Sequence, residues 1–360
     1  MQPYNVEIFS RNMELIQHYN AGDIAYKFDY LSTDENTISI AYNPTVKQGD
    51  YIRITDNVTE YFGVINGITV GEETNTTSNI RYVPFISLFN TDILFDTTLQ
   101  GSDVALEDML ANYMSEYFVN NTDGLQNIPG LRVETISSTS DWGFHLTSDV
   151  AGLNKTIINF MTVLIQRSMT KYQVGLYAEP DFDKKEIVLK IGKKTSDIFH
   201  VEADLPSVVK KSIVLNETTQ DLNKLFIYNN ENLSDLIVYY KHPDKTYDTS
   251  DANRIFPVIY DIQTVTLNEG QTFEQAAASL AAKTFDTESY NNLIELTVLN
   301  DDGLVNPKNI FIGQEVMVIS GNSAYSSILT GYEISTKTKL IFGTIRLDLT
   351  KILKGELNGR

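Results

Sequence analysis

The 360-residue chain has no cysteine. Disulfide staples and thiolate metal sites are therefore excluded. Tryptophan occurs once, at Trp142, and histidine four times, at His18, His145, His200 and His242. No two of these histidines share metal-ligand spacing. Positive charge is also short: 28 Lys and Arg against 47 Asp and Glu leave a net charge of -19. Tight wrapping of nucleic acid needs clustered cations, so it is not expected. The acidic excess fits plain solubility, and it equally fits a surface that repels DNA and lets it pass. No apolar run reaches the length of a bilayer span; "TIINFMTVLI" is too short and too interrupted. The N-terminal stretch shows no basic region followed by an apolar run, so no secretory signal is expected. The Asn57-Val58-Thr59 and Asn216-Glu217-Thr218 sequons then read as coincidences of an Asn- and Thr-rich chain. The glycine motifs that cradle phosphates or present a nucleophile are missing as well, and no cofactor is expected.

What is present is strand-forming sequence. Tyr occurs 20 times and Phe 17 times, hydrophobic residues make up 42% and charged residues 21%. That balance suits a chain with a real core and a bias toward strands. Its length suits two or three domains. Residues 1–95 read as β: "TISIAYNP" alternates apolar and polar residues, Asn43-Pro44 and Gly49-Asp50 bracket a turn, and Pro84 in "NIRYVPFISL" marks an edge or bulge. Near residue 100 the texture changes. "SDVALEDMLANYMSEYF" carries a helical stripe with Ser102 or Asp103 as cap. "NKTIINFMTVLIQRSM" reads as a second helix with Asn154 as cap. "YQVGLYAEPDFDKKEIVLKIG" reads as a hairpin around Pro180-Asp181. Strand texture returns from 206, interrupted by "TFEQAAASLAAKTF", an Ala-rich helix with a capping box at Thr272 and Gln275.

One stretch occurs twice. "GDYIRITDNVTEYFGVING" (49–67) lies on "GQEVMVISGNSAYSSILTG" (313–331) without a gap. Gly49 falls on Gly313, Tyr61 on Tyr325 and Gly67 on Gly331; Ile52 and Ile54 fall on Val316 and Val318. The apolar residues keep the same parity, and a slip by one would turn every side chain to the wrong face. Both closing glycines sit inside a strand pattern, where a bulge or bend is expected. "ISIAY" and "IELTV" precede the two copies; "NIRY" and "TIRL" follow them. The leader "DDGLVNPKN" lengthens the second. Two readings stand at this point: a duplicated module, or two hairpins alike because hairpins are alike.

Candidate chemistry is sparse. Asp181 and Asp183 in "EPDFDKKE" suggest Ca²⁺, but the loop lacks the glycine and terminal Glu of an EF-hand, and a solvated hairpin tip explains them. Trp142 reads as a core or interface anchor rather than a sugar platform. Lys184-Lys185, Lys193-Lys194 and Lys210-Lys211 read as solvated strand ends that discourage edge pairing. No catalytic, cofactor or metal residue is assigned.

With a duplicated module, the fold is β-rich α+β: two similar small antiparallel β-barrels plus an inserted α+β domain. The first barrel would be 1–95. The second would be split between 206–262 and 294–360. The α+β domain would be 96–205, completed by 263–293. Two such barrels flanking an insertion resemble the baseplate hub of tailed bacteriophages, whose siphophage counterpart is the N-terminal hub region of the tail-associated (Tal) protein. "NKLFIYNNEN", the tyrosine-rich "LIVYYKHPDKTYDT" and a strand with Arg254, Pro257 and Val258 are similar to a stretch of those proteins, as is the first hairpin. The resemblance implies a non-enzymatic homotrimer in the virion tail tip, adapting a sixfold tail tube to threefold tip components. Its implied partners are the hexameric distal tail protein, the tape-measure protein and receptor-binding or fibre proteins. DNA would pass an acidic lumen without specific binding, and the chain itself would insert in no membrane. A cell-wall glycosidase or a host-binding adhesin of β modules are the competing readings.

Overall fold

Alternating apolar residues in the N-terminal quarter of the chain build a six-stranded antiparallel sheet. Its strands are β1 (Tyr4–Phe9), β2 (Leu15–Ala21), β4 (Asn36–Ile40), β5 (Tyr51–Thr55), β6 (Glu60–Thr69) and β7 (Ser78–Pro84), in the order β2-β1-β5-β6-β7-β4; β3 (Tyr26–Asp29) stands apart from it. The structure, a computed structural model, describes residues 4–21, 24, 26–29, 35–40, 45–55, 60–69, 78–99, 103–140, 142, 146, 148, 150, 152–194, 198–215, 222–243, 246–267, 270–285, 292–299 and 311–343. The Asn43-Pro44 turn, both sequons, Ser102, His145, the 301–309 leader and "TIRL" lie outside these residues. Burial in β4 and β7 alternates with period two. Val6, Ile8, Ile52, Ile54, Ile80 and Tyr82 form the centre of the sheet's core.

Pro84 closes β7 and leads into a 3-10 turn, Phe85–Phe89. The middle region follows with β8 (Asp92–Asp96), α1 (Leu106–Phe118), β9 (Leu131–Thr135) and β10 (Lys155–Asn159). A π-helical stretch, Phe160–Ile165, continues as α2 (Gln166–Tyr172), and β11 (Gly175–Asp181) and β12 (Glu186–Gly192) form a hairpin. β12 pairs antiparallel with β11 and parallel with β9, while β8 and β10 form a separate ribbon. α1 buries Leu106, Met109, Leu110 and Tyr113.

Two expected caps differ. The N-cap of α1 is Ala105, with no side-chain cap. Thr139 O accepts from Leu106 N–H at 3.2 Å instead. Glu107 is fully buried and accepts from Thr139 N–H at 2.7 Å and from Thr139 Oγ1 at 2.8 Å. A neighbouring segment thus does the work of a cap. The second helix also starts later than expected. Lys155–Asn159 is a strand because its β-branched Thr156, Ile157 and Ile158 pair with β8. Asn159 then caps the helix, its Oδ1 accepting from Thr162 N–H at 3.0 Å.

The chain returns to sheet in β13 (Phe199–Glu202) and β14 (Val208–Leu215), and later in β19 (Asn292–Leu299), β20 (Glu315–Ser320), β21 (Ser323–Ile334) and β22 (Lys337–Gly343). Their order is β13-β20-β21-β22-β19-β14, and β3 adds to β21 as a seventh strand. Between them come β15 (Lys224–Asn229), β16 (Asn232–Lys241), β17 (Tyr247–Asp248), β18 (Tyr260–Val265) and α3 (Phe273–Phe285).

The chain divides into two compact units, 214–292 by itself and the remainder. In the smaller unit a four-stranded sheet, β17-β16-β15-β18, packs Leu225 and Ile227 against Ala277, Ala281 and Phe285 of α3. Thr272 and Gln275 exchange the two bonds of a capping box, at 3.1 and 3.3 Å. The grouping expected from sequence is corrected here. Among the described residues, 224–265 pair among themselves, and α3 packs on them. Strand alternation reveals a strand but not its partner. Arg254, Pro257 and Val258 precede β18 and are not part of it.

Candidate assembly site

The hairpins β5–β6 and β20–β21 share their backbone bonding position by position. Gly49 has φ +91° and Gly313 φ +90°, a region open to glycine and strained for other residues. Gly49 N–H donates to Ile65 O at 2.8 Å, and Gly313 N–H to Leu329 O at 2.8 Å. Ile65 N–H returns a bond to Asp50 O at 2.8 Å, and Leu329 N–H to Gln314 O at 2.9 Å. The ladders then agree in register: Ile52 faces Gly63 and Ile54 faces Tyr61, while Val316 faces Ser327 and Val318 faces Tyr325. Each second strand then bulges, between Ile65 and Gly67 and between Leu329 and Gly331.

The agreement runs on through two more strands. Beyond the bulge, Gly67 faces Arg81 and Ile68 faces Ile80; Gly331 faces Ile341 and Tyr332 faces Leu340. β4 then sets Ile38 against Ile80 where β19 sets Leu296 against Leu340. So the counterpart of "NIRY" is "KLIF" in β22, not "TIRL". The preceding strands match with a two-residue offset from a start-to-start match of "ISIAY" on "IELTV". A two-residue offset keeps each side chain on its face, which is why parity alone did not expose it. The likeness ends at the next neighbour: β1 lies antiparallel on β5, and β13 lies parallel on β20.

Ile52, Ile54, Val316 and Val318 are all buried. Tyr61 is buried too, its ring edge-on to Tyr82 at 5.4 Å, whereas Tyr325 is half-buried. Burial raises the Tyr61 hydroxyl well above its ordinary pKa. At Gly67 an added Cβ would fall 2.3 Å from Arg81 Nη2. The two sheets also meet: β3 pairs with Gly331–Ile334, and Ile334 joins the core of the first sheet.

No protein-family model matches the sequence, and no curated protein is similar to it in sequence. Solved structures are similar in fold. A tail protein from Neisseria meningitidis MC58 aligns with TM-score 0.54 at 11% identity, over 95% of this chain and 97% of that one. The 43 kDa tail protein of prophage MuSo2 from Shewanella oneidensis aligns with TM-score 0.53 at 14% identity, over 95% and 98%. A chain of the phage p2 virion baseplate in its activated conformation aligns with TM-score 0.51 at 9% identity, over 96% and 100%. The chain has the fold of phage tail proteins.

On this phage-tail fold several of the residues singled out for chemistry have structural partners. Trp142 is buried, and its Nε1 donates to Val104 O. Asp181 accepts from Lys184 N–H at 3.0 Å and from Lys184 Nζ at 2.8 Å, and these bonds hold its carboxyl below the usual range. Lys194 is not a solvated strand end. Its Nζ lies 4.3 Å from the Tyr177 ring centroid and 5.1 Å from that of Phe311, and burial lowers its pKa. Lys210 and Lys211 sit within the edge strand β14 rather than at its end. His18 bonds Asn5, and His242 lies 3.1 Å from Asp248 Oδ1. Among the described residues no group of His, Cys, Asp or Glu could hold a metal, and no helix is long and apolar enough to cross a membrane.

A groove of about 320 Å³ lies between β8 and α1, lined by Leu94, Asp96, Val104, Met109, Tyr113 and Lys155. Tyr113 Oη accepts from Asp96 N–H at 2.9 Å and Tyr117 Oη from Leu94 N–H at 3.1 Å. These hydroxyls fasten α1 to β8.

Proposed function

We propose that the chain is a structural hub protein of a phage tail tip. Three copies form a ring, and each copy contributes two equivalent sheets, so six like surfaces surround one axis. Such a ring joins a sixfold tail tube, through its hexameric distal tail protein, to threefold tip components. Its channel passes the tape-measure protein and then DNA, which an acidic lumen repels rather than binds. The observation that carries this reading is the register-for-register agreement of β5-β6-β7-β4 with β20-β21-β22-β19. Closed rotational symmetry is the common solution for homo-oligomers, and a doubled module lets threefold order imitate sixfold order.

The test is the mass of the purified chain across a concentration series, together with imaging of tail tips labelled on this chain. A trimer, alone or on the tail, is expected, with the label in a ring on the tail axis. A chain that stays monomeric and is absent from the tip would sink the proposal. So would peptidoglycan hydrolysis that a single Asp or Glu substitution abolishes.

A further inference from the structure

We propose that the open end of β6, Gly67–Thr69, is a docking edge for β14 of a second copy of this chain. The inference rests on the ring reading above and names the strands that close it. Its starting point is a difference between the two equivalent sheets. On β21, residues Gly331–Ile334 pair with β22 on one side and with β3 on the other. Their counterparts on β6 begin at Gly67. Gly67, Ile68 and Thr69 pair with β7 on one side, and among the described residues no strand pairs on the other.

Burial follows the same difference. Gly331 is buried and Glu333 half-buried, whereas Gly67 is half-buried and Thr69 exposed. Two edges with the same backbone course therefore differ in one respect: among the described residues, the first sheet lacks the strand that the second one has. An unpaired row of N–H and C=O groups is a ready template for another strand.

The far side of the junction identifies the occupant. β3 lies next to β4, where Asn36 Oδ1 accepts from Lys27 N–H at 2.9 Å and Asn36 Nδ2 donates to Lys27 O at 3.2 Å. Inside one chain the succession is thus β4, β3, β21. The counterpart of β4 is β19, and the strand beside β19 at the sheet margin is β14. The counterpart of β21 is β6. The same succession, β19, β14, β6, is completed only by bringing β14 of one copy to β6 of the next. Such a contact joins two different surfaces head to tail, and it closes into a ring when the rotation divides the circle. Lys210 and Lys211 on β14 hinder indiscriminate pairing of that edge.

The absence of cysteine makes the test direct. Ile68→Cys is combined in turn with a single cysteine at each position from 208 to 213, so that register need not be assumed. Lys27→Cys with Glu333→Cys, which face each other across β3 and β21, serves as the control. Each variant is oxidised in its assembled state and run without reductant. The control is expected to cross-link within one chain. At least one Ile68→Cys combination is expected to give a ladder of dimer and trimer, and each single-cysteine variant none. A trimer by mass with a working control but no ladder at any position overturns this docking edge and leaves the ring standing. A chain that is monomeric at every concentration and gives no ladder on tails overturns both.

Discussion

Phe182, at the tip of the β11–β12 hairpin, stacks on Phe9 at the end of β1, with ring centroids 4.0 Å apart and planes inclined by 22°. Phe62 meets the same ring edge-on at 5.8 Å, and the Arg53 guanidinium carbon lies 5.1 Å from its centroid. The other end of the hairpin reaches the second sheet region. Tyr177 meets Phe311 edge-on at 6.1 Å, and Lys193 Nζ lies 3.6 Å from Glu315 Oε1. Glu315 is the counterpart of Tyr51, which opens the first hairpin. One hairpin therefore braces both copies of the module. Removing a fully buried Phe side chain costs about 3–5 kcal/mol. Phe182 is half-buried, so Phe182→Ala is expected to cost about 2 kcal/mol in denaturant unfolding, with an unchanged m-value. A loss below about 0.5 kcal/mol, the range of ordinary surface changes, would show that the hairpin tip does not brace the first sheet.

The paired glycines separate backbone strain from crowding. A non-glycine residue in left-handed backbone costs about 1–2 kcal/mol, and both Gly49 and Gly313 have positive φ. A Cβ at Gly49 would lie 3.5 Å from Arg11 Cδ, an ordinary contact. A Cβ at Gly313 would lie 2.9 Å from Met169 Cε and 3.0 Å from Tyr177 Oη. Gly49→Ala should therefore lose about 1–2 kcal/mol, and Gly313→Ala should lose more. Thermal and denaturant unfolding of the two variants side by side checks the order. The reverse order would contradict the crowding argument.

How much of this was legible in the sequence depends on the kind of information. Parity and the two glycine pairs are local properties, and they place the hairpins correctly. Strand partners are not local. "KLFIYN" and "LIELTV" both read as strands, yet the first pairs inside its own unit and the second beside β22. The β3 junction was hidden for a similar reason: its anchor, Asn36, has the apolar Ile294 as its counterpart, so no repeated residue marks it. "KTIIN" carries apolar residues at helical as well as strand spacing, and only the presence of β8 decides between them. Nothing local marks Glu107 as buried, because its hydrogen-bond partners, Ser137 and Thr139, lie beyond the helix in sequence.

Glu107 gives a third prediction. Its carboxylate is fully buried and joins the start of α1 to Ser137 and Thr139 through three hydrogen bonds. Truncation leaves those donors without an acceptor, at about 1–3 kcal/mol for a buried unsatisfied group. Glu107→Ala should lose about 2–3 kcal/mol by the same reasoning, and Glu107→Gln less, since it keeps one carbonyl acceptor. Hydrogen exchange at Thr139 N–H should quicken in the Ala variant. Unchanged exchange there, with unchanged stability, would rule out the carboxylate as the latch.

The tyrosine-rich core predicts how the fold fails in alkali. Burial pushes the Tyr51 hydroxyl up to about 12 and also raises those of Tyr61, Tyr82, Tyr177 and Tyr332. In the unfolded chain tyrosine ionises near pH ~10. Below that pH both states are protonated and the contribution to stability is complete. Above it the unfolded chain sheds protons that the folded chain retains, so stability falls as pH rises toward the folded values. Each buried tyrosine contributes a slope of about 1.4 kcal/mol per pH unit in that window. Tyr51, Tyr61 and Tyr82 share the first sheet region, so their slopes add to about 4 kcal/mol per unit. Unfolding should therefore be cooperative in alkali, at least one pH unit above ~10 for a stability of about 5 kcal/mol or more, with tyrosinate absorbance rising together with the loss of strand circular dichroism. Tyr51→Phe removes one ionising group and should move the midpoint to higher pH. Gradual tyrosinate formation with the sheet signal intact would mean that the hydroxyls reach solvent without unfolding, and the packing described for this core would be wrong.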